Sequence, residues 1–463
     1  MVPERLMPVL DSAGEVARLF EAAGARLYLV GGVVRDALLG QLSADSDLDF
    51  TTDVLPSVTE EILAPWADGI WAQGKRFGTI GAIKGGRRIE VTTHRADSYE
   101  PSSRHPEVEF STALEADLAR RDFTVNAMAL SLPDLELFDP FNGVADLAAR
   151  KLRTPLPAEM SFSDDPLRML RAARFIAGYG LQPGPDILDA VSRLRSRLDI
   201  VSDERVRDEL DKLLVVPDPS DGLWFLVNTG LAEEFLPELP ALALEQDPVH
   251  RHKDVLAHTI AVVQRARPGR IVRLAALFHD IGKPKTRSFG PGGTVSFHHH
   301  ELVGARMTRD RMRALRYPVD DIERVSKLVE LHLRFHTYAM GWTDSAVRRY
   351  VRDASDLLED LNELTRADCT TRNPARAQAL SRRMDELETR ISELREQEEL
   401  ASIRPDLDGR DVMGHLGVKP GPIVGRALAY LLEERLEDGP HTREEALQLL
   451  DDWWARQPES LSS

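Results

Sequence analysis

LVGGVVRDALLGQLSADSDLDFTTD, residues 29–53, decides how the rest of the chain is read. LYLV at 27–30 has the texture of a buried strand and runs directly into Gly31 and Gly32. Residues 33–39 return to a helical pattern, so the two glycines stand between a strand and a helix N-terminus, where bare backbone N–H groups can approach phosphate oxygens. Arg35 can add positive charge to the same phosphates, with Asp36 fixing its orientation. LDFTT reads as a second strand. Side chains at i and i+2 share one face of a strand, so Asp47 and Asp49 present both carboxylates to one side while Leu48 and Phe50 enter the core. Two such carboxylates repel unless a cation lies between them, and as hard oxygen ligands they suit Mg2+ carried in by a triphosphate. Glu90 in RRIEVTT, alternating with apolar neighbours, is the natural third carboxylate.

The frame around this stretch is large. At 463 residues the chain exceeds one core and should divide into about three or four domains, with an apolar share of 42% sufficient to fold them. The N-terminus carries no charged-then-apolar leader, and no apolar run is long enough to cross a bilayer, so a cytoplasmic protein without membrane contact is expected. The one cysteine, Cys369, precludes an intramolecular disulfide framework. A net charge of −17 argues against indiscriminate binding to nucleic acid and leaves room for a local basic groove.

Along the chain the texture changes once. Residues 12–24 predict a helix, and strand-like runs recur at LDFTT, FGTIGAI, RRIEVTT and NAMALSL with turn signals between them, giving a mixed domain that ends near residue 150. From 164 onward helical patterns dominate, broken at 183–185, 217–222, 237–248 and 291–293 by proline and glycine. Residues 376–400 predict a long charged helix whose face is solvated or packs on a neighbour.

GG followed by RD, LLG and DxD, then RRDFTVNA at 120–127, resembles the active-site signature of polymerase-β-like nucleotidyltransferases. With DDPLRMLRAARF (164–175) and SDERVRDELDKLL (202–214) the set is similar to the class II tRNA CCA-adding enzymes and bacterial poly(A) polymerases. LDGRDVMGHLGVKPGPIVGRAL (407–428) and an embedded HD domain resemble the actinobacterial CCA-adding enzymes in particular. The resemblance covers nearly the whole chain. It implies an α+β fold: a nucleotidyltransferase palm over 1–150, a helical neck over 151–245, an HD domain over 246–372 and a helical body and tail over 373–463. It also implies addition of C, C and A to the 3′ end of tRNA from CTP and ATP. Asp47 and Asp49 would hold the metal ions of an in-line displacement, and the acceptor stem and 3′ end would be gripped by neck and tail, with no obligate protein partner evident. Arg121, Asp122 and Asn126 fall in the motif the family uses to recognise the ribose. Arg120 is expected as a surface residue. Arg168, Arg171, Arg174, Arg205 and Arg207 could form a positive strip that reads RNA backbone shape.

DDPLR matches the family's nucleotide-templating motif. Asp165 and Arg168 lie three apart, so on a helix they share a face and can address one planar base. Cytosine and adenine each present an amine donor beside a ring-nitrogen acceptor; a carboxylate and an arginine complement that edge and repel the reversed edge of uracil and guanine. The bland alternative is an i,i+3 ion pair at a helix start. Poly(A) addition remains open, but GKRFGTIGAI (74–83) has the form associated with CCA-adding members. HRADSYEPSSRHPEVEF (94–110) looks like the flexible loop that CC-adding relatives lack, and its Arg95, Tyr99 and Arg104 ask for a partner.

HRHKDVLAHT (250–259), LAALFHDIGKPKT (274–286), FHHHELVGA (297–305) and LTRADCTT (364–371) carry the H…HD…D pattern of HD-family metal phosphohydrolases. His258, His279, Asp280 and Asp368 would form one site suited to Mn2+, Ni2+, Co2+ or iron, and His300 and His332 could add a second metal, His336 competing with His332. Lys283 could contact phosphate, while His250, His252, His298 and His299 are peripheral. The resemblance suggests cyclic phosphodiesterase or phosphatase action on RNA ends or nucleotides. A chain that is chiefly an HD phosphohydrolase with a binding-only palm is a further alternative.

Overall fold

The short β-branched runs of the N-terminal region assemble into one sheet because each places its apolar side chains on a single face. The computed structural model describes residues 7–41, 48–98, 107–244, 254–290, 294–338, 342–369, 374–398, 400 and 403–457. The chain divides into two units, Met1–Pro240 and Ala241–Ser463. In the first unit the first nine strands are β1 (Leu27–Val30), β2 (Leu48–Thr52), β3 (Gly69–Trp71), β4 (Thr79–Lys84), β5 (Arg87–Thr93), β6 (Arg95–Ser98), β7 (Glu107–Phe110), β8 (Ala129–Leu132) and β9 (Leu137–Phe138), and a separate two-residue pair joins Lys151–Leu152 to Gln182–Pro183. Seven of them form a sheet in the order β3-β4-β5-β2-β1-β8-β9. The β2–β5 pair is parallel, and the other pairs are antiparallel. Leu27, Leu29, Leu48, Phe50, Ile89 and Val91 bury one face of the sheet together with Val16 and Phe20 of the helix Met7–Ala22.

Two differences from the sequence reading concern this unit. The segment 94–110, read as a loop, begins and ends as an antiparallel ladder of β6 and β7 with Arg95 opposite Phe110; Tyr99 and Arg104 lie outside the described residues. The second is at DDPLR. The helix Ala158–Asp164 stops at Asp165, which is extended at φ −136 and ψ 100, and a new helix runs Leu167–Tyr179. Pro166 is the reason, because its ring excludes the helical conformation from the residue before it. That new helix packs on the helices Asp203–Leu214 and Ser220–Asn228.

In the second unit the helices Val255–Arg265, Arg270–Phe278, His300–Ala314, Val319–Leu331 and Leu358–Asp368 form the HD bundle. A short hairpin, Arg287–Phe289 with Val295–Phe297, interrupts a region that carried no strand signal. The charged helix Pro374–Gln397 is not wholly solvated: Met384, Leu387, Ile391 and Leu394 form a buried stripe at helical spacing. The last three helices, Gly409–Leu416, Pro422–Asp438 and Arg443–Trp454, enclose their own core around Leu407, Val412, Leu431, Leu450 and Trp453. Asp408 and Thr442 close the first and third of these with capping boxes. Among the described residues no helix is long and apolar enough to cross a membrane.

Candidate functional site

The parallel pairing of β2 with β5 places Asp49 directly opposite Glu90. Both are exposed, whereas their neighbours Leu48 and Ile89 are buried, so the carboxylates share the open face of the sheet. Neighbouring strands lie about 4.8 Å apart, which brings two carboxylates within reach of one hard cation. Asp47 lies outside the described residues.

Gly31 ends β1 with φ 78, a left-handed conformation that costs glycine nothing. A Cβ on Gly31 would stand 3.1 Å from Nη1 of Arg121 and 3.9 Å from Oδ2 of Asp49. The GG turn, the DxD strand and the RRDF segment therefore meet at one point. Gly32 opens the helix Gly32–Leu39.

Arg35, expected to contact phosphate, is engaged within the protein. It is buried, and its guanidinium donates to Asp36 at 2.8 and 3.0 Å, to Oδ1 of Asn126 at 2.5 Å and to the Tyr179 hydroxyl at 2.5 Å. It also lies over the Tyr179 ring at 4.1 Å. These contacts tie the GG helix to the neck helix Leu167–Tyr179, so Arg35 locks two elements of the site together.

Asp122 is likewise engaged within the protein. It accepts from the Phe123 amide at 2.8 Å, from Asn126 Nδ2 at 2.9 Å and from Arg171 at 2.8 and 2.5 Å. Burial would raise its pKa, but Arg171 and these hydrogen bonds hold the carboxyl well below the usual range. Arg171 also lies 3.8 Å from Glu209, and Arg174 donates to Glu209 at 2.8 Å. Glu209 is buried yet held ionised by Arg174 and Arg171. The expected basic strip is thus largely neutralised, since Arg205 stands 3.8 Å from Asp165 and Arg207 pairs with Asp208 at 2.8 Å.

The Asp165–Arg168 pair does not form as a shared helical face. Asp165 precedes the helix and accepts from the Leu167 amide at 3.2 Å. Arg168 is buried, with Nη1 on Ser161 Oγ at 2.8 Å and Nη2 on the Arg120 carbonyl at 2.5 Å. Neither the i,i+3 ion pair nor a ready-made base-reading fork is present. Arg120, expected on the surface, is half-buried and donates to Asp117 at 2.6 Å.

In the second unit the histidines and aspartates expected as HD ligands converge. His258 Nε2 lies 3.0 Å from Asp368, 3.6 Å from Asp280 and 3.2 Å from His279 Nε2; His279 Nε2 is 3.2 Å from Asp280. On the other side of Asp280 stands His300 Nε2 at 3.4 Å, and His332 joins the cluster. His279, His300 and His332 each direct Nδ1 at a carbonyl three residues back, at 2.7, 2.8 and 2.6 Å. That contact fixes the tautomer with Nε2 unprotonated and turned inward, as metal-ligating histidines require. Nε2 of His300 and of His332 is buried with no hydrogen-bond partner. The donor set therefore fits divalent metal in two overlapping groups, His258–His279–Asp280 and Asp280–His300–His332. Burial pushes His332 down to about 3, which keeps it neutral. His336 is exposed outside the cluster, and His299 lies on the surface. Lys283, expected on phosphate, donates to Asp280 at 2.6 Å. His250 and His252 lie outside the described residues.

Three families match along the chain: "Poly A polymerase head domain" at 27–153, "Probable RNA and SrmB- binding site of polymerase A" at 180–242 and "HD domain" at 255–373. An A-adding tRNA nucleotidyltransferase of Deinococcus radiodurans is 35% identical over 93% of this chain and 96% of its own length. The chain belongs to the tRNA nucleotidyltransferase family. A CC-adding tRNA nucleotidyltransferase of Thermus thermophilus is 33% identical, covering 92% of this chain and 93% of the relative. A CCA-adding enzyme of Geobacillus thermodenitrificans is 34% identical, covering 61% and 66%. The fold is that of the Bacillus stearothermophilus CCA-adding enzyme, solved in complex with CTP, with a TM-score of 0.68, 24% identity and coverage of 98% and 99%.

Within this tRNA nucleotidyltransferase the sequence reading missed Asp117, Glu209 and Tyr179, which hold Arg121, Arg171 with Arg174, and Arg35 respectively. Asp117 and Glu209 sit at helical positions where a carboxylate ordinarily faces solvent, and only their burial distinguishes them. A charge run of D-x-x-R-R at 117–121 was the available signal.

Proposed function

We propose that the chain adds C, C and A to the 3′ end of tRNA from CTP and ATP, releasing pyrophosphate, in the cytoplasm. The observation that carries this reading is the opposition of Asp49 and Glu90 beside the Gly31 turn and Arg121. Asp49 and Glu90, with Asp47, would hold magnesium; when bound, it activates the terminal hydroxyl and neutralises the triphosphate. The amides of Gly31 and Gly32 and the guanidinium of Arg121 would bind the phosphates. Asp122 and Asn126 would border the ribose, with Asp122 held by Arg171. Asp165 would accept from the exocyclic amine of C or A, and Arg168 would turn toward the base only by leaving Ser161 and the Arg120 carbonyl. The relatives' A-adding, CC-adding and CCA-adding activities supply the alternatives.

The test uses magnesium, a tRNA transcript lacking its last three nucleotides and a second one lacking only the final A, with CTP and ATP singly and together. CTP plus ATP should lengthen the first transcript by three, and CTP alone by two. A stop at two with both nucleotides would indicate CC addition. Extension of the second transcript alone would indicate A addition, and a ladder with ATP alone would indicate poly(A) synthesis.

The convergent HD donors support a second activity in the same chain. We infer that His258, His279, Asp280 and Asp368, with His300 and His332, hold a transition metal such as Mn2+, Ni2+ or Co2+, for hydrolysis of phosphate esters at RNA ends or on nucleotides. Opening of a 2′,3′-cyclic nucleotide to its monophosphate, and phosphate release from a nucleoside monophosphate, each with and without metal, test it.

A further inference from the structure

Arg121 approaches the Gly31 turn more closely than any chain neighbour needs. Its Nη1 lies 3.1 Å from where a Gly31 Cβ would stand, its Nε is buried with no hydrogen-bond partner, and its Nη2 donates to Asp117 at 3.3 Å. One edge of the guanidinium is thus fixed on Asp117 while Nη1 faces the Gly31 turn, which Asp49 also approaches. A guanidinium nitrogen held at a glycine turn before a helix N-terminus complements a phosphate oxygen.

Asp117 itself is fully buried on the short helix Leu114–Ala119. Arg120 donates to its Oδ1 at 3.0 and 2.6 Å, which anchors the carboxylate and leaves Oδ2 for Arg121. Burial would raise its pKa, but Arg120 and Arg121 keep it below the usual carboxylate range, so the acceptor stays charged. The neighbouring His94, close enough to feel Asp117, is pushed down to about 4 by burial and hydrogen-bonds Thr51 at 2.8 Å. A neutral His94 leaves the negative charge of Asp117 to the two arginines.

We propose that Asp117 is a positioning residue for nucleotide binding: anchored by Arg120, it aims Arg121 across the Gly31 turn at the triphosphate of an incoming nucleoside triphosphate. A purely structural ion pair would hold Arg121 anywhere on the surface. Here the held guanidinium lies against a left-handed glycine and the catalytic strand. The inference rests on the nucleotidyltransferase reading of this site.

The test is CTP affinity of the full chain in magnesium, by equilibrium dialysis, for wild type, Asp117→Asn, Arg121→Ala and the double variant, with tRNA affinity measured alongside by gel shift. Asp117→Asn should weaken CTP binding by about tenfold and change tRNA binding by less than about twofold. In the Arg121→Ala background it should cause no further loss, because its effect passes through Arg121. Unchanged CTP affinity in Asp117→Asn, multiplying losses in the double variant, or equal losses of CTP and tRNA would each overturn the proposal. If Asp117→Asn does not melt cooperatively, Asp117→Glu, which keeps the charge but displaces the carboxylate, carries the same comparison. Wild type that binds no CTP would instead refute the nucleotidyltransferase reading itself.

Discussion

Asp49 on β2 and Glu90 on β5 occupy opposed positions of the one parallel strand pair described in the sheet. Parallel register keeps their carboxylates side by side on the open face, whereas a one-residue slip would send one of them into the core. Replacing a metal-holding carboxylate removes several kcal/mol of transition-state stabilisation, about 10²–10³-fold in rate. Asp49→Asn and Glu90→Gln should each slow single-turnover CTP incorporation by that order without lowering the melting temperature. Full activity in Glu90→Gln would remove Glu90 from the catalytic set.

The neck offers a test of base selection. Asp165 stands outside the helix with its carboxylate only partly engaged by the Leu167 amide and Arg205. If it accepts from the amine of C or A, Asp165→Asn gains a donor that suits uracil. The ratio of kcat/KM for CTP over UTP should then fall by about 10–100-fold, the worth of one charge-assisted hydrogen bond. An unaltered ratio would leave discrimination to other residues.

The histidines that flank Asp280 predict a metal stoichiometry. His300 and His332 lie on one side, and His258 and His279 on the other. Protein loaded with Mn2+ and desalted should retain more metal than His300→Gln or His332→Gln, and His258→Gln should lose metal as well. Mass spectrometry of the retained metal reads this directly. Equal content across all four would show that the cluster does not bind metal. CCA addition should be unaffected in these variants, since they lie in the other unit.

His94 predicts an acid-sensitive head. Its folded pKa of about 4 lies below the ordinary 6.5 because burial disfavours the charged ring. Between those values the unfolded chain takes up a proton that the folded chain refuses. The contribution is therefore intact above 6.5 and declines as pH falls toward 4, by about 2 kcal/mol at about pH 5. His94→Leu should be less stable than wild type at about pH 8, where the Thr51 hydrogen bond counts, and the gap should narrow or invert at about pH 5. Urea midpoints at the two pH values measure it, and a gap independent of pH would contradict the assignment.

Much of the site was legible before folding. Strands LYLV and LDFTT were marked by β-branched and apolar runs, the GG turn by its position after a strand, and the HD ligands by their order along the chain. The helix start within DDPLR, at Leu167, was not, because the periodicity that places Asp165 and Arg168 on one face assumes an unbroken helix across Pro166. The contacts of Arg35 were not legible for another reason: its partners Asn126 and Tyr179 lie 91 and 144 residues away.

What the sequence by itself determined, then, is which local chemistry this chain carries: the main strands of the sheet, the glycine turn, the exposed Asp49 and the histidine series all follow from side-chain type and short-range spacing. Only the tertiary structure decided how the arginines are spent. Arg35, Arg168, Arg171 and Arg174 look alike in a sequence, and each ends on a partner brought from elsewhere in the fold. A buried guanidinium must be paired wherever a carboxylate or carbonyl can reach it, and that reach is set by packing in three dimensions.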